Sequence, residues 1–454
     1  MLKIKTNLVI IGSGPAGYTS ALRASTLNIE TIIIEKDTTV GGTCLNKGCI
    51  PIKALLNVSK FINSTKQANE FGITCNINNI NLKKIHIWKN NIIRNLDTEI
   101  KNLCKTKKIK ILHGQASFIN KNLLHVKTKH ENISIEFNTA IIATGSIPKI
   151  SSFEKKIKDI INSDKALELK IIPKKILIIG CGAVGLELSN IFSSLNSIVD
   201  IVDTSKNILP EIDIDITDVL EAHIKNYNIN IYKNTEIKNI EKKNKEFMVT
   251  YGNKTFKKYN LIISAIGRTP NTNILNIENI KINTDINNFI CVNDQQQTNI
   301  KNIYACGDVT GQPMLAHKAM YDGKLAAEVI AGYAHFSQKK CIPQVIYTNP
   351  EIAYVGILEN SAIKKKINHK TYKYLWKNNG RAMILNSLDG LTKIIFDEKN
   401  IIIGAVIIGD NASELISELS LAIEMGCYKD DLSLTIHPHP TLSETIIQAI
   451  ETKN

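Results

Sequence analysis

Two segments of this chain repeat one grammar, and that repetition limits the fold more than any other feature. The apolar run Leu8-Val9-Ile10-Ile11 leads into Gly12-Ser13-Gly14-Pro15-Ala16-Gly17, a helical stretch to about Leu27, and a second apolar run from Thr31 that ends at Glu35. The pattern returns at Ile176 to Ile179, Gly180-Cys181-Gly182-Ala183-Val184-Gly185, a helical stretch to about Leu195, and Ile198 to Val202 ending at Asp203. Strand, glycine turn, helix and strand make a βαβ unit. A chain with two such units reads as α/β, with two Rossmann-like dinucleotide-binding domains.

Each glycine has a mechanical role in this reading. Gly12 and Gly180 permit the tight turn, Gly14 and Gly182 let a pyrophosphate approach the backbone, and Gly17 and Gly185 allow close packing of helix on strand. The helix N-terminus then holds the phosphate charge. Glu35 and Asp203 stand where ribose hydroxyls donate hydrogen bonds, and each would repel a 2′-phosphate. Thr204, Ser205 and Lys206 follow the second acid with no arginine nearby; this disfavours an NADP clamp, although Lys206 leaves it open. Two dinucleotide sites in one chain suggest two redox cofactors that exchange a hydride. The alternative is a duplicated scaffold with one inactive site.

The 454 residues correspond to about three domains at roughly 150 residues each. Residues 53–72 and 80–106 read as helices, and 110–140 as strands leading to Ala143-Thr144-Gly145. A strand at Leu261 precedes Gly267; another, Ile303 to Cys306, ends at Gly307-Asp308 and leads to a long helix from about Pro313 to Ile330. From Ile342 the pattern becomes antiparallel, with a hairpin from Lys393 to Ile408, a helix from Ser413 to Met425, and a final helix after Pro440. That block is expected to be an α+β domain.

The composition, 43% hydrophobic and 22% charged, is ordinary globular usage. The formal charge of +14 is scattered through Lys/Asn/Ile-rich text, with no recognised nucleic-acid motif, so no nucleic-acid partner is expected. No apolar run approaches the roughly 18 residues of a membrane helix, and the few residues before Leu8 leave no room for a leader, so the expected compartment is the cytoplasm. Nine cysteines, an odd number, argue against a secreted disulfide framework.

Two of those cysteines stand apart. In Gly41-Gly42-Thr43-Cys44-Leu45-Asn46-Lys47-Gly48-Cys49-Ile50-Pro51 they are separated by four residues, and no further Cys or His nearby completes a zinc site, so no metal is expected. One reading is a redox-active disulfide at the start of a helix, where the dipole favours thiolate; the other is two unrelated core cysteines. Near the C-terminus, His437-Pro438-His439-Pro440-Thr441-Leu442-Ser443-Glu444 places Pro440 at the first position of the final helix and Glu444 one turn in. A carboxylate beside an imidazole makes a general base; a structural histidine is the alternative.

With these motifs in this order, the chain resembles the pyridine nucleotide-disulphide oxidoreductases over essentially its whole length. The likeness rests on Gly12 to Gly17, Gly41 to Lys53, Ala143-Thr144-Gly145, Gly180 to Glu187, Ala265 to Asn271, Cys306 to His317 and His439 to Glu444. The resemblance implies that the first unit, with Glu35, binds the adenosine half of FAD, that Asp308 binds the ribityl chain, and that Ala316 offers a backbone amide to the flavin. It places Lys53 beside the flavin and counts Thr144, Gly145 and Gly267 among the cofactor-binding residues. Ala116 stands where a glycine is common. The second unit, with Asp203, would bind NAD, with Glu187 near the nicotinamide and Lys53.

The resemblance further implies that Cys49 lies nearest the flavin, that Cys44 exchanges with substrate, and that His439, held by Glu444, is a base contributed across the interface of a homodimer. The implied reaction is oxidation of protein-bound dihydrolipoamide to lipoamide with reduction of NAD. Expected partners are the lipoyl domains and core of 2-oxo acid dehydrogenase complexes, or the glycine cleavage H protein. The implied division is 1–145 for FAD, 146–270 for NAD, 271–341 returning to the FAD domain, and 342–454 for dimerisation. Ile52 replaces a small polar residue common in the family, and Lys47 one that is often apolar. Glutathione and mercuric reductases are the runner-up activities. The first would want arginines after Asp203, and the second a C-terminal cysteine pair, whereas no cysteine follows Cys427. A basic nucleic-acid-binding scaffold without activity is a more distant alternative.

Overall fold

The computed structural model describes residues 2–252, 255–337 and 341–452, which fall into two compact units. Unit 1 comprises Met1–Ala54, Asn81–Lys149 and Gly267–Gln338; unit 2 comprises Leu55–Ile80, Ile150–Ile266 and Lys339–Asn454. Among the described residues, no helix is long and apolar enough to cross a membrane.

In unit 1 the first glycine turn sits at the edge of a seven-stranded sheet. The strand Leu2–Ile11 lies parallel between Thr31–Glu35 and Asn132–Ile142, and Ile303–Ala305 runs parallel to the far half of Asn132–Ile142. Ile11 pairs with both Ile34 and Ile142, and Ala305 pairs with Ile142. All four strands therefore end in register. Gly12, Glu35, Ala143 and the segment entering Asp308 leave the sheet at one edge, although they are far apart in sequence. The strands are apolar on both faces, as expected of a parallel sheet covered by helices, and Leu8, Val9, Ile10 and Ile33 are fully buried. The helices Pro15–Thr26 and Ala316–Ile330 pack so closely that a Cβ on Gly323 would lie 2.4 Å from the carbonyl oxygen of Ala16.

Unit 2 repeats the arrangement. The parallel strands Ile229–Tyr232, Ile198–Val202, Lys175–Ile179, Leu261–Ser264 and Ile161–Asn162 lie side by side in that order. Val202 and Ser264 both pair with Ile179, which brings Gly180, Asp203 and Ala265 to one edge. An antiparallel three-stranded sheet, Ile237–Lys243, Glu246–Tyr251 and Thr255–Tyr259, covers one face through Phe247, Val249 and Tyr259. The C-terminal block is the expected antiparallel α+β layer, in the order Gln344–Ile346, Glu351–Gly356, Ile402–Gly409, Leu391–Asp397 and His369–Leu375, with the helix Ala412–Met425 packed on its central strands.

A buried ion cluster joins this layer to the parallel-sheet part of the same unit. The ammonium of Lys393, fully buried on Leu391–Asp397, lies 2.8 Å from Asp213, 2.8 Å from Asp215 and 2.7 Å from Glu359. Its three protons thus meet three carboxylates, the condition under which burying a charge is tolerable. These carboxylates are the one acidic triad among the described residues close enough to hold a cation, and Lys393 is that cation.

Two expected helix starts are corrected. The final helix runs Glu444–Glu451, so Pro440 is not its first residue. The Glu444 carboxylate reaches back to the N–H of Thr441 at 2.8 Å, and this bond holds residues 440–443 in a turn ahead of the helix. The long helix in unit 1 starts at Ala316 rather than near Pro313.

Candidate active site

The first glycine turn is closed by its neighbours. Gly12 has φ +104°, and a Cβ there would lie 2.4 Å from the Ala143 carbonyl oxygen; a Cβ on Gly17 would lie 1.9 Å from the oxygen of Gly12. No other residue fits either position. Glu35, at the end of the adjacent strand, accepts from the N–H and hydroxyl of Ser13 at 2.9 and 2.5 Å and from the N–H of Asp37 at 2.9 Å. Its carboxylate is therefore held across the mouth of the turn.

The cysteine segment is laid against that same turn. Gly41 N–H donates to the Ser13 carbonyl at 3.0 Å, and a Cβ on Gly42 would lie 2.7 Å from Gly14 Cα. Gly41 and Gly42 both have positive φ, which explains the glycine pair before the cysteines. Asn46 pins the loop by donating to the carbonyls of Val40 at 2.8 Å and Gly42 at 2.9 Å, while Asp97 accepts from Val40 N–H at 2.7 Å.

Cys44 lies in the short helix Gly42–Lys47, and Cys49 opens the helix Cys49–Gln67. The two sulfurs share a hydrogen bond. This bond, together with burial and the charge of Cys49, pushes the Cys44 thiol far above its ordinary range; Lys53 pulls it down and Asp308 pushes it up. The Cys44 thiol is therefore the proton-bearing member of the pair's hydrogen bond as it stands. Lys53 and Asp308, from distant parts of the sequence, act on the same sulfur. Tyr18 is a neighbour that sequence reasoning missed: burial, and then the charges of Cys44 and Cys49, raise its phenol.

The remaining cofactor candidates in unit 1 divide. Asn271 ties the Thr144-Gly145 turn, its amide donating to the Thr144 carbonyl at 3.3 Å and its N–H to the Gly145 carbonyl at 3.0 Å. Thr144 Oγ1 is buried with no hydrogen-bond partner among the described residues. Gly267 has φ +100°, with nothing within 4 Å of a Cβ. Asp308 accepts from Ser146 Oγ at 2.7 Å, and Ala316 is the first residue of its helix. Ala116 is different: its side chain is buried in the apolar cluster with Phe118 and Val126.

In unit 2 the second turn has the same covalent logic. Gly180 has φ +109°, a Cβ on it would meet the Ala265 carbonyl oxygen at 2.5 Å, and one on Gly185 would meet the Gly180 oxygen at 2.0 Å. A Cβ on Gly182 would meet nothing within 4 Å. Asp203 accepts from the N–H groups of Cys181 at 2.8 Å and Ser205 at 2.7 Å; burial raises its pKa, but these bonds outweigh burial and hold it below the usual carboxylate range. The buried Cys181 thiol is pushed up to about 12 by burial and then by Asp203, so it is inert at neutral pH. Glu187, on the helix Ala183–Ser194, is buried and accepts from Tyr347 N–H at 3.0 Å.

The two histidines near the C-terminus have separate duties. His437 is tied by Nδ1 to the Thr435 carbonyl at 2.9 Å and by Nε2 to Glu418 at 2.9 Å. His439 uses only Nδ1, 2.8 Å from Glu444 Oε1, and its side chain is 80% exposed. A carboxylate can only accept, so Nδ1 carries a proton, and Nε2 makes no hydrogen bond among the described residues. Burial raises the pKa of Glu444, but the Thr441 N–H and the two imidazoles outweigh burial and lower it, so it stays ionised. Asn379 supports the turn by donating to the Thr441 carbonyl at 3.4 Å and to Gln448 at 3.0 Å, and the buried chain Trp376, Thr392, Thr445 anchors the helix. These supports were not foreseen from sequence.

Residues 6–323 match the family model for pyridine nucleotide-disulphide oxidoreductases, and residues 342–450 match that family's dimerisation domain. The chain belongs to the pyridine nucleotide-disulphide oxidoreductases. Among relatives of this family, a dihydrolipoyl dehydrogenase from Buchnera aphidicola subsp. Baizongia pistaciae is 46% identical over 451 residues, covering 98% of this chain and 95% of its own. Another, from Vibrio cholerae, is 39% identical and covers 99% of this chain and 96% of its own. The solved structure of LpdA from Mycobacterium tuberculosis shares the fold, with a TM-score of 0.91 at 24% identity, covering 98% of this chain and 99% of its own.

The cofactors of this oxidoreductase are FAD and NAD. The residues present fit both. In unit 1 the orphaned, buried Thr144 hydroxyl and the closed glycine turn are the features of a cradle completed by a ligand. In unit 2 the open space at Gly182, with Asp203 ionised beside the turn, suits a dinucleotide without a 2′-phosphate.

Proposed function

We propose that the chain oxidises protein-bound dihydrolipoamide to lipoamide and reduces NAD, with FAD between the two. The observation that supports this most is the Cys44–Cys49 pair, seated on the first glycine turn within the fields of Lys53 and Asp308. Two unrelated core cysteines would have no reason to share a proton.

The site residues take these roles. Gly12, Gly14, Gly17, Glu35, Thr144, Gly145, Gly267, Asp308 and Ala316 hold FAD, with Lys53 beside the flavin and Ala116 near it; Gly180, Gly182, Gly185, Glu187 and Asp203 hold NAD. His439 of one protomer serves the cysteine pair of its partner in a homodimer, a reading that suits an imidazole with a free Nε2 on an exposed side chain. In this scheme 1–145 with 271–341 form the FAD domain, 146–270 the NAD domain and 342–454 the dimerisation domain.

The chemistry follows from thiol ionisation. A substrate thiol with a pKa near 8.5 is only a few per cent thiolate at neutral pH, so Nε2 of His439 takes its proton, and Glu444 stabilises the resulting imidazolium. In the oxidised enzyme the substrate thiolate attacks Cys44 Sγ, breaking the Cys44–Cys49 bond and leaving Cys49 as thiolate. The second substrate thiol displaces Cys44, which leaves with the proton. The substrate has lost two electrons and the cysteine pair has gained them. When bound, FAD supplies the two-electron link between that pair and NAD. The lipoyl group arrives on a partner, either a 2-oxo acid dehydrogenase complex or the glycine cleavage H protein, and the compartment that suits this is the cytoplasm.

An anaerobic titration of the purified flavoprotein tests the reading. Addition of dihydrolipoamide is expected to produce a long-wavelength thiolate-to-flavin band, and subsequent NAD to yield NADH. Flavin that is bound but unreactive to the dithiol would overturn the substrate assignment.

A further inference from the structure

Asp308 is gripped by two hydrogen bonds in series whose direction is forced by the groups that make them. Arg268 Nε lies 2.7 Å from Ser146 Oγ, and Ser146 Oγ lies 2.7 Å from Asp308 Oδ2. A guanidinium only donates and an ionised carboxylate only accepts. The hydroxyl therefore accepts from Arg268, and its single proton points at Asp308. A second bond, from Arg268 Nη2 to the Ser146 carbonyl at 2.8 Å, locks the guanidinium against the same residue. Ser146 is 4% exposed, so water does not compete freely for its hydroxyl.

The backbone explains how three residues so far apart meet. Ser146–Pro148 and Arg268–Pro270 form a two-stranded antiparallel ladder, with Ser146 opposite Pro270 and Arg268 opposite Pro148. Asp308 follows Ile303–Ala305, whose register with Asn132–Ile142 delivers it to the sheet edge from which Ser146 also emerges. Arg268, in the Gly267-Arg268-Thr269-Pro270 motif, thereby acts on the acid without touching it.

We propose that Ser146 is a positioning residue for FAD: its hydroxyl, oriented by Arg268, occupies Oδ2 of Asp308 and turns Oδ1 toward the ribityl hydroxyls. The proposal rests on the reading of Asp308 as the ribityl acceptor. The χ2 torsion of an aspartate is broad, so a carboxylate without this bond presents its oxygens in many directions. Fixing one oxygen in advance removes that disorder from the binding equilibrium.

The test measures the rate of FAD release from the holoenzyme, followed by the recovery of flavin fluorescence. Ser146→Ala is expected to release FAD about tenfold faster, equivalent to about 1.4 kcal/mol, the scale of one hydrogen bond to a charged group. Ser146→Thr keeps the hydroxyl and is expected to return release to within about twofold of wild type, a rescue that simple packing does not predict. In an Asp308→Ala background, Ser146→Ala should add nothing, because the group it positions is gone. Wild-type release from Ser146→Ala, or full additivity with Asp308→Ala, overturns the positioning role. Wild-type release from Asp308→Ala alone instead overturns the ribityl reading beneath it. If Ser146→Ala does not accumulate as holoenzyme, Arg268→Met tests the same relay: about threefold faster release sustains it, and unchanged release refutes it.

Discussion

The two glycine turns have nearly the same backbone, with Gly12 at φ +104° and Gly180 at φ +109°, yet their surroundings differ in kind. The first is overlaid by its own chain: Gly41 bonds to Ser13, Gly42 packs on Gly14, and a redox pair is carried in on that overlay. The second also meets its own chain, with Leu209 N–H 3.4 Å from the Cys181 carbonyl, but nothing lies within 4 Å of a Cβ on Gly182, and a buried, inert thiol takes the place of Ser13. The turn supplies only a phosphate cradle. On the proposed reading, the residues packed on Gly14 keep FAD resident, whereas the space at Gly182 lets NAD exchange.

The strongest way to break this contrast is to remove the chemistry of one unit and leave the other intact. Cys44→Ser should abolish dihydrolipoamide oxidation while FAD remains bound, because the sulfur that forms the mixed disulfide is gone. The measurement is steady-state NADH formation alongside the flavin absorbance of the purified variant. In unit 2, His439→Gln should reduce turnover by about 10²- to 10⁴-fold, the usual worth of a proton-transfer base, again with FAD retained. Turnover at the wild-type rate would remove His439 from the mechanism. His437→Gln, which breaks the bond to Glu418 rather than one to Glu444, should cost far less.

Much of this was readable in advance, and the reason is locality. The glycine turns, their acids and the cysteine spacing are short-range patterns whose geometry is set by adjacent residues, so Gly12 to Glu35 and Gly180 to Asp203 fall where the sequence puts them. Spacing alone did not separate the two histidines, and only the resemblance pointed to His439, because the residue that occupies His437 is Glu418, on a different helix. Ser146, Asn379 and Lys393 carried no signal for the same reason, since each acts on a group brought near by sheet register or tertiary packing; Asn46, whose partners Val40 and Gly42 are local, belongs to no pattern that marks it. The start of the final helix was misplaced because proline at a helix start is only a tendency, and the Glu444-to-Thr441 bond outweighs it.

Unit 2 also carries its own stability device. Removing the ammonium in Lys393→Met leaves Asp213, Asp215 and Glu359 facing one another with only the half-exposed Lys373, 2.8 Å from Asp215 and 3.4 Å from Glu359, to offset their charge, and is expected to cost about 3 kcal/mol, read as a lowered denaturant midpoint. For Asp215 and Glu359, burial raises the pKa but the lysine bonds outweigh burial and lower it. Groups that are more acidic in the folded state stabilise fully above the ordinary carboxylate range, about pH 4, and lose that contribution as pH falls through their folded values. Lys393 is shifted up, against the effect of burial, so its share persists to alkaline pH. The wild type should therefore lose unit 2 stability steeply in acid, and Lys393→Met should flatten that loss. An equally steep acid transition in the variant would assign it to other carboxylates.

The smallest substitution addresses the difference between the turns directly. A Cβ on Gly185 would lie 2.0 Å from the Gly180 oxygen, so Gly185→Ala must move helix from strand and should fail as a fold. Gly182 has φ −76° and open space, so Gly182→Ala should leave the melting temperature nearly unchanged. If that space is where a pyrophosphate meets the backbone, the added methyl should weaken NAD on the order of tenfold, about 1.4 kcal/mol, with FAD content untouched. NAD binding by calorimetry on the flavin-loaded variant decides it. An unchanged NAD affinity would mean that the second turn is open for a reason other than the dinucleotide, and the contrast between a covered and an exchanging cradle would fall with it.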